Sequence, residues 1–259
     1  MSLTNNPLKK GKTLFLFDID GTLTPSRQSI QKEMIDCLTQ VKTIPNIDIA
    51  SIGGSDLVKA KEQLKEYTSL FKYLFTENGV VSYDNQGKIF HSKKISEYLG
   101  EDNLKELINF VLRYVADLDI PVKRGTFLEF RTGMLNVSPI GRNCSKEERA
   151  AFAEYNKEHK VVETFRNIMN DKFAEKMKLK FSIGGQISFD IFPIGWDKTY
   201  CLQFVKDYDN IVFFGDKTQD GGNDHEIAIS PYITRGVHVD NPQDTIVKIN
   251  SIVEEVKKL

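Results

Sequence analysis

The chain has 259 residues, of which 40% are hydrophobic and 27% are charged, and its formal net charge is −1. This length is sufficient for one large domain or two smaller ones, each with a buried core. The near-neutral charge argues against a nucleic-acid partner, because nucleic-acid-binding proteins usually carry a strong basic excess. No apolar run reaches the roughly 18 residues of a transmembrane helix, so we expect no membrane association either.

Cysteine usage and the first residues indicate the cellular compartment. Cys37, Cys144 and Cys201 lie far apart and form no CxxC pair, so they predict neither a disulfide framework nor a zinc site. Residues 1–12 are polar and basic and contain no apolar signal segment, and we expect them to form a loose tail. Together these features predict a cytoplasmic protein.

The first predicted element is a buried strand that ends in two carboxylates. Residues 14–17 are all apolar, which is typical of a strand covered on both faces of a parallel sheet, and Asp18, Asp20 and Gly21 follow. In open α/β sheets, ligands bind at the carboxyl ends of the strands. Two close carboxylates repel each other unless a cation or a shared proton relieves them, and Mg²⁺ takes such ligands together with substrate phosphate. One carboxylate can then act as a nucleophile and the other as an acid or base.

The next elements continue a β-α-β rhythm. Apolar residues at helical spacing predict a helix over 30–41, and 47–52 reads as a second buried strand. Asp56 is a predicted N-cap for the helix that follows. Between them, the backbone amides of Gly53-Gly54-Ser55 can cradle a phosphate. Ser55 either supplies a hydroxyl to that phosphate or is only a turn residue, and both interpretations remain open.

The pattern changes at about Ser92, after a hairpin turn at 84–87. We predict a long amphipathic helix over 104–118, a helix with a Ser145/Glu148 capping box, and a further helix ending near 178. The predicted strands of this stretch are 126–131, 134–138, 179–183 and 186–192. Helices and strands segregated in this way favour an α+β module on an antiparallel sheet.

The first rhythm returns at Asp197, which is a predicted helix N-cap with Lys198 in the first turn. A buried strand at 210–214 ends at Gly215-Asp216, and a last helix is predicted over 242–258. The predicted fold is therefore α/β: a doubly wound core with a parallel sheet, formed by residues 1–91 and 197–259. An inserted α+β cap with an antiparallel sheet occupies 92–196.

The core supplies further candidate residues for phosphate chemistry. Lys198 can offset the charge of an aspartyl nucleophile and of a phosphate, and Asp216 can be a third carboxylate for Mg²⁺. Asp224 is predicted to order its loop rather than to bind the cation. Taken alone, Lys198 would be a solvated helix-end residue and Asp216 a turn former. The carboxylates at Asp18 and Asp20 favour the functional interpretation.

The cap carries candidate residues for substrate recognition. Arg131, Arg142 and Arg149 have guanidinium groups, which bind phosphate in a planar, bidentate way. Ser188 and Asp190 are two residues apart on a predicted strand, so they share a face and suit sugar hydroxyls. Each arginine taken singly is better explained as a surface charge.

Longer strings of sequence resemble a known family. The stretch 17–24, Phe-Asp-Ile-Asp-Gly-Thr-Leu-Thr, resembles the first motif of the haloacid dehalogenase (HAD) superfamily of phosphotransferases. That resemblance implies Asp18 as the nucleophile, Asp20 as the acid/base, and Mg²⁺ between Asp18 and the phosphate. Segments 123–142, 184–190, 195–198, 214–218 and 221–226 resemble the eukaryotic phosphomannomutase family, and the resemblance covers almost the whole chain.

The family resemblance implies a specific activity. It implies interconversion of mannose 6-phosphate and mannose 1-phosphate, which feeds GDP-mannose synthesis, with a hexose 1,6-bisphosphate as activator. It also implies a homodimer joined through the cap. The implied catalytic residues are Asp18, Asp20 and Lys198, and the implied Mg²⁺ ligands are Asp18, Asp20 and Asp216. The implied substrate contacts are Arg27, Arg131, Arg142, Arg149, Ser188 and Asp190.

One departure from the family pattern and three alternative functions remain. The family often has an Asp-Pro pair that helps to hold a second cation, whereas this chain has Ser230-Pro231. The alternatives are a HAD sugar-phosphate phosphatase, a glucose-preferring phosphohexomutase, and a catalytically silent protein that binds a phosphorylated ligand. The intact Asp18, Asp20, Lys198 and Asp216 argue against the silent protein, because binding alone needs no nucleophile.

Overall fold

A computed structural model describes residues 3–26, 28–183 and 185–259. The chain forms two compact units. Met1–Ser92 and Trp196–Leu259 make up the first, which we call the core unit, and Lys93–Gly195 make up the second, the inserted unit. Each unit has its own sheet and its own apolar core.

The strands of the described residues are, in chain order, β1 (Thr13–Asp18), β2 (Ile47–Ile52), β3 (Tyr73–Thr76), β4 (Val81–Asp84), β5 (Ile89–Ser92), β6 (Leu128–Phe130), β7 (Leu135–Val137), β8 (Leu179–Ser182), β9 (Phe189–Pro193), β10 (Asn210–Gly215) and β11 (Arg235–His238). The α-helices are α1 (Lys32–Lys42), α2 (Leu57–Leu64), α3 (Ile95–Asp117), α4 (Lys146–His159), α5 (Val161–Met177), α6 (His225–Ala228) and α7 (Pro242–Val256). Short 3₁₀ segments cover Lys65–Leu70, Glu77–Gly79 and Lys198–Phe204.

The core unit is built on a seven-stranded sheet in the order β11-β10-β1-β2-β3-β4-β5. The first five of these strands are parallel, and β4 and β5 continue the sheet as an antiparallel hairpin. Because β1 lies in the middle, Phe15 is paired with Val212 of β10 and with Ile49 of β2. The carboxyl ends of the parallel strands therefore meet at one edge, as the sequence predicts.

Side-chain alternation along β1 explains why this strand is apolar throughout. Phe15 and Phe17 belong to a core cluster that includes residues of α1, α2 and α7. Leu14 and Leu16 belong to a second cluster, on the other face, with Leu202 of the 3₁₀ segment Lys198–Phe204. Burial on both faces confirms the doubly wound parallel core.

The inserted unit contains a four-stranded antiparallel sheet in the order β6-β7-β9-β8, together with α3, α4 and α5. This confirms the predicted α+β insert. The predicted capping box is also confirmed: Ser145 Oγ accepts from the Glu148 N–H at 3.1 Å, and Glu148 Oε2 accepts from the Ser145 N–H at 2.9 Å. Helix α3 begins at Ile95, earlier than predicted, and its backbone is interrupted at Gly100.

The two helix caps predicted in the core unit are confirmed, and two other features of this unit differ from the prediction. Asp56 caps α2 by accepting from the Lys59 N–H at 2.9 Å, and Asp197 caps the segment that carries Lys198. That segment is a 3₁₀ helix rather than an α-helix. The sequence also gave no indication of the two short elements α6 and β11.

The prediction of a loose tail at residues 1–12 is wrong for the described residues. The Thr4 carbonyl accepts from the Gly236 N–H at 2.8 Å, the Asn6 N–H donates to the Thr234 carbonyl at 2.9 Å, and Leu8 is buried. This segment covers part of the exposed edge of β11, whose backbone groups would otherwise lack partners. Main-chain pairing of this kind leaves no pattern in the side chains.

Two further findings concern the whole described chain. Within residues 3–26, 28–183 and 185–259, none of the helices combines the length and apolarity that crossing a membrane requires. Cys37, Cys144 and Cys201 carry free thiols.

Candidate active site

Three carboxylates meet at the carboxyl edge of the core sheet. Asp18 is the last residue of β1, Asp216 directly follows the neighbouring β10, and Asp224 directly precedes α6. One carboxylate oxygen from each of the three lies within 4.8 Å of the others. The structure thus brings together Asp18 and Asp216, as the sequence predicts, and adds Asp224 to them.

Lys198 is buried in the middle of this acidic group. Its side chain is 2% exposed, and its Nζ lies 2.5 Å from both Asp18 Oδ1 and Asp224 Oδ1. The side chain of Asp197 fixes the start of the 3₁₀ segment by accepting from the Thr199 N–H at 3.1 Å. Asp224 also accepts from the Lys217 N–H, at 3.1 Å, so both of its oxygens are engaged.

A glycine allows the first motif to approach Asp216. Gly21 has a φ of +81°, and a Cβ at this position would lie 2.5 Å from Asp216 Oδ2. A larger residue would therefore push the Asp216 carboxylate away from Asp18, besides adopting a left-handed backbone that glycine tolerates best. This explains why Gly21 follows the two aspartates.

Burial dominates the electrostatics of the site. Desolvation raises the pKa of Asp18 to about 7; the Lys198 ammonium opposes this rise and the Asp224 carboxylate adds to it. Desolvation also raises the pKa of Asp216. Burial by itself would lower the pKa of Lys198, but Asp18 and Asp224 more than offset that effect and raise it, so Lys198 stays charged. Among the described residues, the three carboxylates thus carry more negative charge than the Lys198 ammonium offsets.

The donor set fits a hard divalent cation. Three carboxylates lie around the buried Lys198 ammonium, and oxygen ligands of this kind are those that Mg²⁺ prefers. Asp216 Oδ1 is buried and accepts no hydrogen bond from any described residue. An orphaned, buried carboxylate oxygen beside two others is costly unless a proton or a cation satisfies it.

Asp20 lies outside this group of three. It is half-buried, and its Oδ1 accepts a hydrogen bond from Gln63 Nε2 at 2.8 Å. Gln63 is buried on α2 and also donates to Thr24 Oγ1 at 3.3 Å. The sequence analysis missed Gln63, although a polar side chain next to the buried Leu64 was an available signal.

The Gly53-Gly54-Ser55 turn follows β2 at the same edge of the sheet. The Gly53 N–H donates to the Phe75 carbonyl at 3.0 Å, and the Ser55 carbonyl accepts from the Glu77 N–H at 3.0 Å. The half-buried Ser55 hydroxyl makes no hydrogen bond to any described residue. The two interpretations of Ser55 therefore both stand. Ser230, where the family often has Asp, is buried, and its Oγ accepts from the Tyr232 N–H at 3.4 Å.

The inserted unit holds a polar network on one face of its sheet. Glu129, Asn136 and Asp190 are paired across β6, β7 and β9. Asn136 Nδ2 donates to Asp190 Oδ1 at 2.7 Å and to Ser188 Oγ at 3.2 Å. The structure therefore places Ser188 and Asp190 together, and Asn136, which the sequence analysis missed, joins them. Burial raises the pKa of Asp190.

Two of the predicted arginines belong to the same network. Glu129 Oε2 lies 2.7 Å from Arg131 Nη2 and 2.8 Å from Arg142 Nε. Arg142 Nη1 also donates to Asn136 Oδ1 at 2.7 Å. One carboxylate thus holds two guanidinium groups side by side, in a geometry that suits a shared anionic ligand. Arg149 is half-buried on α4, and Arg27 lies outside the described residues.

Comparisons with known proteins give a consistent result. A family model described as eukaryotic phosphomannomutase matches residues 34–255. A phosphomannomutase from Triticum aestivum is 51% identical over 245 residues, which cover 94% of this chain and 96% of the wheat protein. Phosphomannomutase 1 from Dictyostelium discoideum is 53% identical over 236 residues, covering 90% of this chain and 93% of its own length.

Solved structures resemble the fold at low sequence identity. The C-terminal domain of the Candida albicans trehalose-6-phosphate phosphatase has a TM-score of 0.63 at 14% identity, with coverage of 96% of this chain and 99% of that domain. An IMP-bound Plasmodium falciparum IMP-nucleotidase has a TM-score of 0.63 at 17% identity, with coverage of 94% and 68%. At such identities the likeness shows a shared HAD-like fold.

Proposed function

Because the chain belongs to the eukaryotic phosphomannomutase family, we propose that it interconverts mannose 6-phosphate and mannose 1-phosphate through a phosphoryl group carried on Asp18. Family membership makes the chain an enzyme, a phosphomannomutase. The observation that carries the proposed mechanism is the buried contact of Lys198 with Asp18 and Asp224. A buried nucleophile with a charged lysine against it suits attack on an anionic phosphate.

The proposed transfer uses Asp18 and Asp20 in turn. In the first half, Asp20 takes a proton from a hydroxyl of the sugar monophosphate, whose oxygen attacks the phosphorus carried on Asp18 as the bond to Asp18 breaks, which gives a hexose 1,6-bisphosphate. In the second half, an Asp18 oxygen attacks the other phosphate of this intermediate, the bond from phosphorus to the sugar oxygen breaks, and Asp20 gives its proton to that oxygen. Proton transfer of this kind contributes about 10²–10⁴-fold to rate. The Gln63 contact supports this role because it orients the Asp20 carboxylate.

Asp18, Asp216 and Asp224 are the residues that would hold Mg²⁺. When bound, the ion would supply positive charge to offset that of the phosphate and of the carboxylates. Asp20, which the family resemblance also implies as a ligand, is assigned here mainly to proton transfer. Lys198 remains charged in either case and contributes the fixed positive charge of the site.

The inserted unit is proposed to recognise the phosphate that is not transferred. Arg131 and Arg142 present two guanidinium groups held by Glu129, and a charge-assisted hydrogen bond to a phosphate is stronger than a neutral one. Ser188 and Asp190 are proposed to contact sugar hydroxyls. Arg27 and Arg149 are further proposed contacts, on the strength of the family resemblance.

The wider role is also part of the proposal. A hexose 1,6-bisphosphate would act as the activator that first phosphorylates Asp18, and the product would supply GDP-mannose synthesis in the cytoplasm. The free thiols of Cys37, Cys144 and Cys201 are consistent with a reducing compartment. A homodimer through the inserted unit is also proposed, on the strength of the family resemblance.

An isomerase assay tests the proposal. Purified protein with Mg²⁺, mannose 1-phosphate and a catalytic amount of hexose 1,6-bisphosphate should form mannose 6-phosphate, and glucose 1-phosphate is compared in parallel. Asp18→Asn should abolish isomerisation and prevent phosphorylation of the Asp18 peptide, measured by mass spectrometry. Asp36→Asn, at an exposed position on α1, is the matched control. Substantial isomerisation by folded Asp18→Asn would contradict the nucleophile assignment, and faster turnover of the glucose phosphate would favour a glucose-preferring enzyme.

A further inference from the structure

The turn that follows β3 has an unusual backbone. Glu77, Asn78 and Gly79 have φ values of 47°, 61° and 86°, so three successive residues are in the left-handed region. Two of them are not glycine, and all three are buried. Such a conformation is unfavourable for residues with a side chain and persists only where the surrounding contacts fix it, which is common at functional sites.

The backbone of this turn is bound to the Gly53-Gly54-Ser55 turn. The Asn78 N–H donates to the Gly53 carbonyl at 2.9 Å, and the Glu77 N–H donates to the Ser55 carbonyl at 3.0 Å. Both turns lie at the carboxyl edge of the core sheet, after the adjacent strands β2 and β3. The left-handed backbone is what aims these two N–H groups at the neighbouring turn.

The side chain of Asn78 reaches in the other direction, toward the segment that carries Lys198. Asn78 is 8% exposed, and its Nδ2 donates to the Trp196 carbonyl at 3.3 Å. Trp196 precedes Lys198 by two residues. Gly79 packs closely against the same segment, since a Cβ there would lie 2.8 Å from Cys201 Cβ.

We propose that Asn78 is a positioning residue for phosphoryl transfer: it fixes the spacing between the Gly53-Gly54 turn and Lys198. This inference rests on the proposed function. The Gly53-Gly54-Ser55 turn directly follows Ile52, the partner of Asp18 in β2, and Lys198 contacts Asp18 itself, so Asn78 is hydrogen-bonded to the two segments that flank Asp18. Asparagine suits the position because it tolerates a left-handed backbone and also offers a side-chain N–H donor. An aspartate at this position would place a carboxylate, which is an acceptor, against the Trp196 carbonyl oxygen, which is also an acceptor. A glycine would have no side-chain donor.

Asn78→Gly tests this proposal with little backbone perturbation, because glycine adopts the same φ freely. Asn46→Gly is the matched control: Asn46 also has a positive φ, of 63°, but is exposed and precedes β2 at the opposite edge of the sheet. We expect Asn78→Gly to lower kcat by about 10- to 100-fold, with a smaller change in KM, because small misplacements of reacting groups are costly. Its affinity for inorganic phosphate with Mg²⁺, measured by calorimetry, should fall as well. Asn46→Gly should match the wild type in both measurements.

The readouts separate this proposal from the proposed function and from misfolding. If wild-type protein fails to isomerise mannose phosphates, the proposed function fails, and the phosphate affinities alone decide the role of Asn78. If the melting temperature of Asn78→Gly is well below that of Asn46→Gly, the role of Asn78 is decided with Asn78→Asp instead. This variant keeps the side-chain size and the backbone preference of asparagine, and its kcat and phosphate affinity are measured in the same way. Wild-type kcat and wild-type phosphate affinity in a folded Asn78 variant would overturn the proposal.

Discussion

Replacing Lys198 by methionine should destabilise the metal-free protein strongly. Lys198 is 2% exposed and lies 2.5 Å from two buried carboxylates, so the change removes the buried positive charge that the described residues place against Asp18 and Asp224. Removing one partner of a buried ion pair typically costs about 3–5 kcal/mol. For a unit of this size each kcal/mol corresponds to about 2–4 °C, so the melting temperature of the core unit should fall by about 6–20 °C.

The pH dependence of this loss follows from Asp18. Burial already raises the folded-state pKa of Asp18 to about 7, above its unfolded value of about 3.9, and loss of Lys198 raises it further. Protonation of Asp18 stabilises the folded state at low pH, and this stabilisation is lost as the pH rises through the folded-state pKa of Asp18. Asp18 of Lys198→Met is therefore neutral at pH 6 and ionises at higher pH. The destabilisation should be larger at pH 8 than at pH 6.

Added Mg²⁺ should partly reverse the loss of stability without restoring activity. A cation that binds only the folded state stabilises it, and the more negative site of Lys198→Met should bind the cation more tightly. Thermal melts with and without Mg²⁺, at pH 6 and pH 8, measure these effects, and Lys206→Met at an exposed lysine is the control. The reasoning is refuted if Lys198→Met and Lys206→Met have the same melting temperature at both pH values. It is also refuted if Mg²⁺ raises the melting temperature of both variants by the same amount.

Three other predictions concern separate parts of the site. Asp20→Asn should lower kcat by about 10²–10⁴-fold with little change in KM; steady-state kinetics that show weaker binding with normal turnover would contradict its role in proton transfer. Arg142→Ala should weaken the binding of sugar phosphates by about 1.5–3 kcal/mol, measured from KM and product inhibition. Turnover of acetyl phosphate, which has no second phosphate, should change much less, and equal losses would indicate misfolding instead. Binding of Mg²⁺ at pH 6 should release about one proton, mainly from Asp18, because a cation binds the ionised carboxylate; calorimetry in buffers of different ionisation enthalpy counts that proton, and its absence would contradict the raised pKa.

Much of the fold could be predicted from local sequence signals. The apolar run of β1 and the apolar stretch of β2 show burial on two faces, and the side chains of Asp56 and Ser145 mark helix starts. These signals are local because strand alternation and helix capping depend on residues within a few positions of each other. Element β11 escaped prediction because it is a four-residue edge strand with a single buried position, Gly236.

The residues of the site that lie at the ends of neighbouring strands could be predicted from the sequence. Those that are defined by a side-chain contact with a distant residue could not. Asp18 and Asp216 could be brought together because neighbouring parallel strands end at one edge. The contact of Lys198 with Asp224 depends on the path of the chain after β10, which no periodicity records. Gln63 and Asn136 were missed for a related reason: each is defined by the polar group that it contacts, across 43 and 54 residues respectively.

The central claim is that the phosphoryl group on Asp18 passes to a sugar rather than to water. The most direct test is the ratio of two products, measured together with mannose 1-phosphate and a catalytic amount of hexose 1,6-bisphosphate. We predict that mannose 6-phosphate forms in large excess over free phosphate, and that without a sugar phosphate the phosphorylated Asp18 hydrolyses slowly. Release of free phosphate as fast as mannose 6-phosphate forms would contradict the account and identify a sugar-phosphate phosphatase.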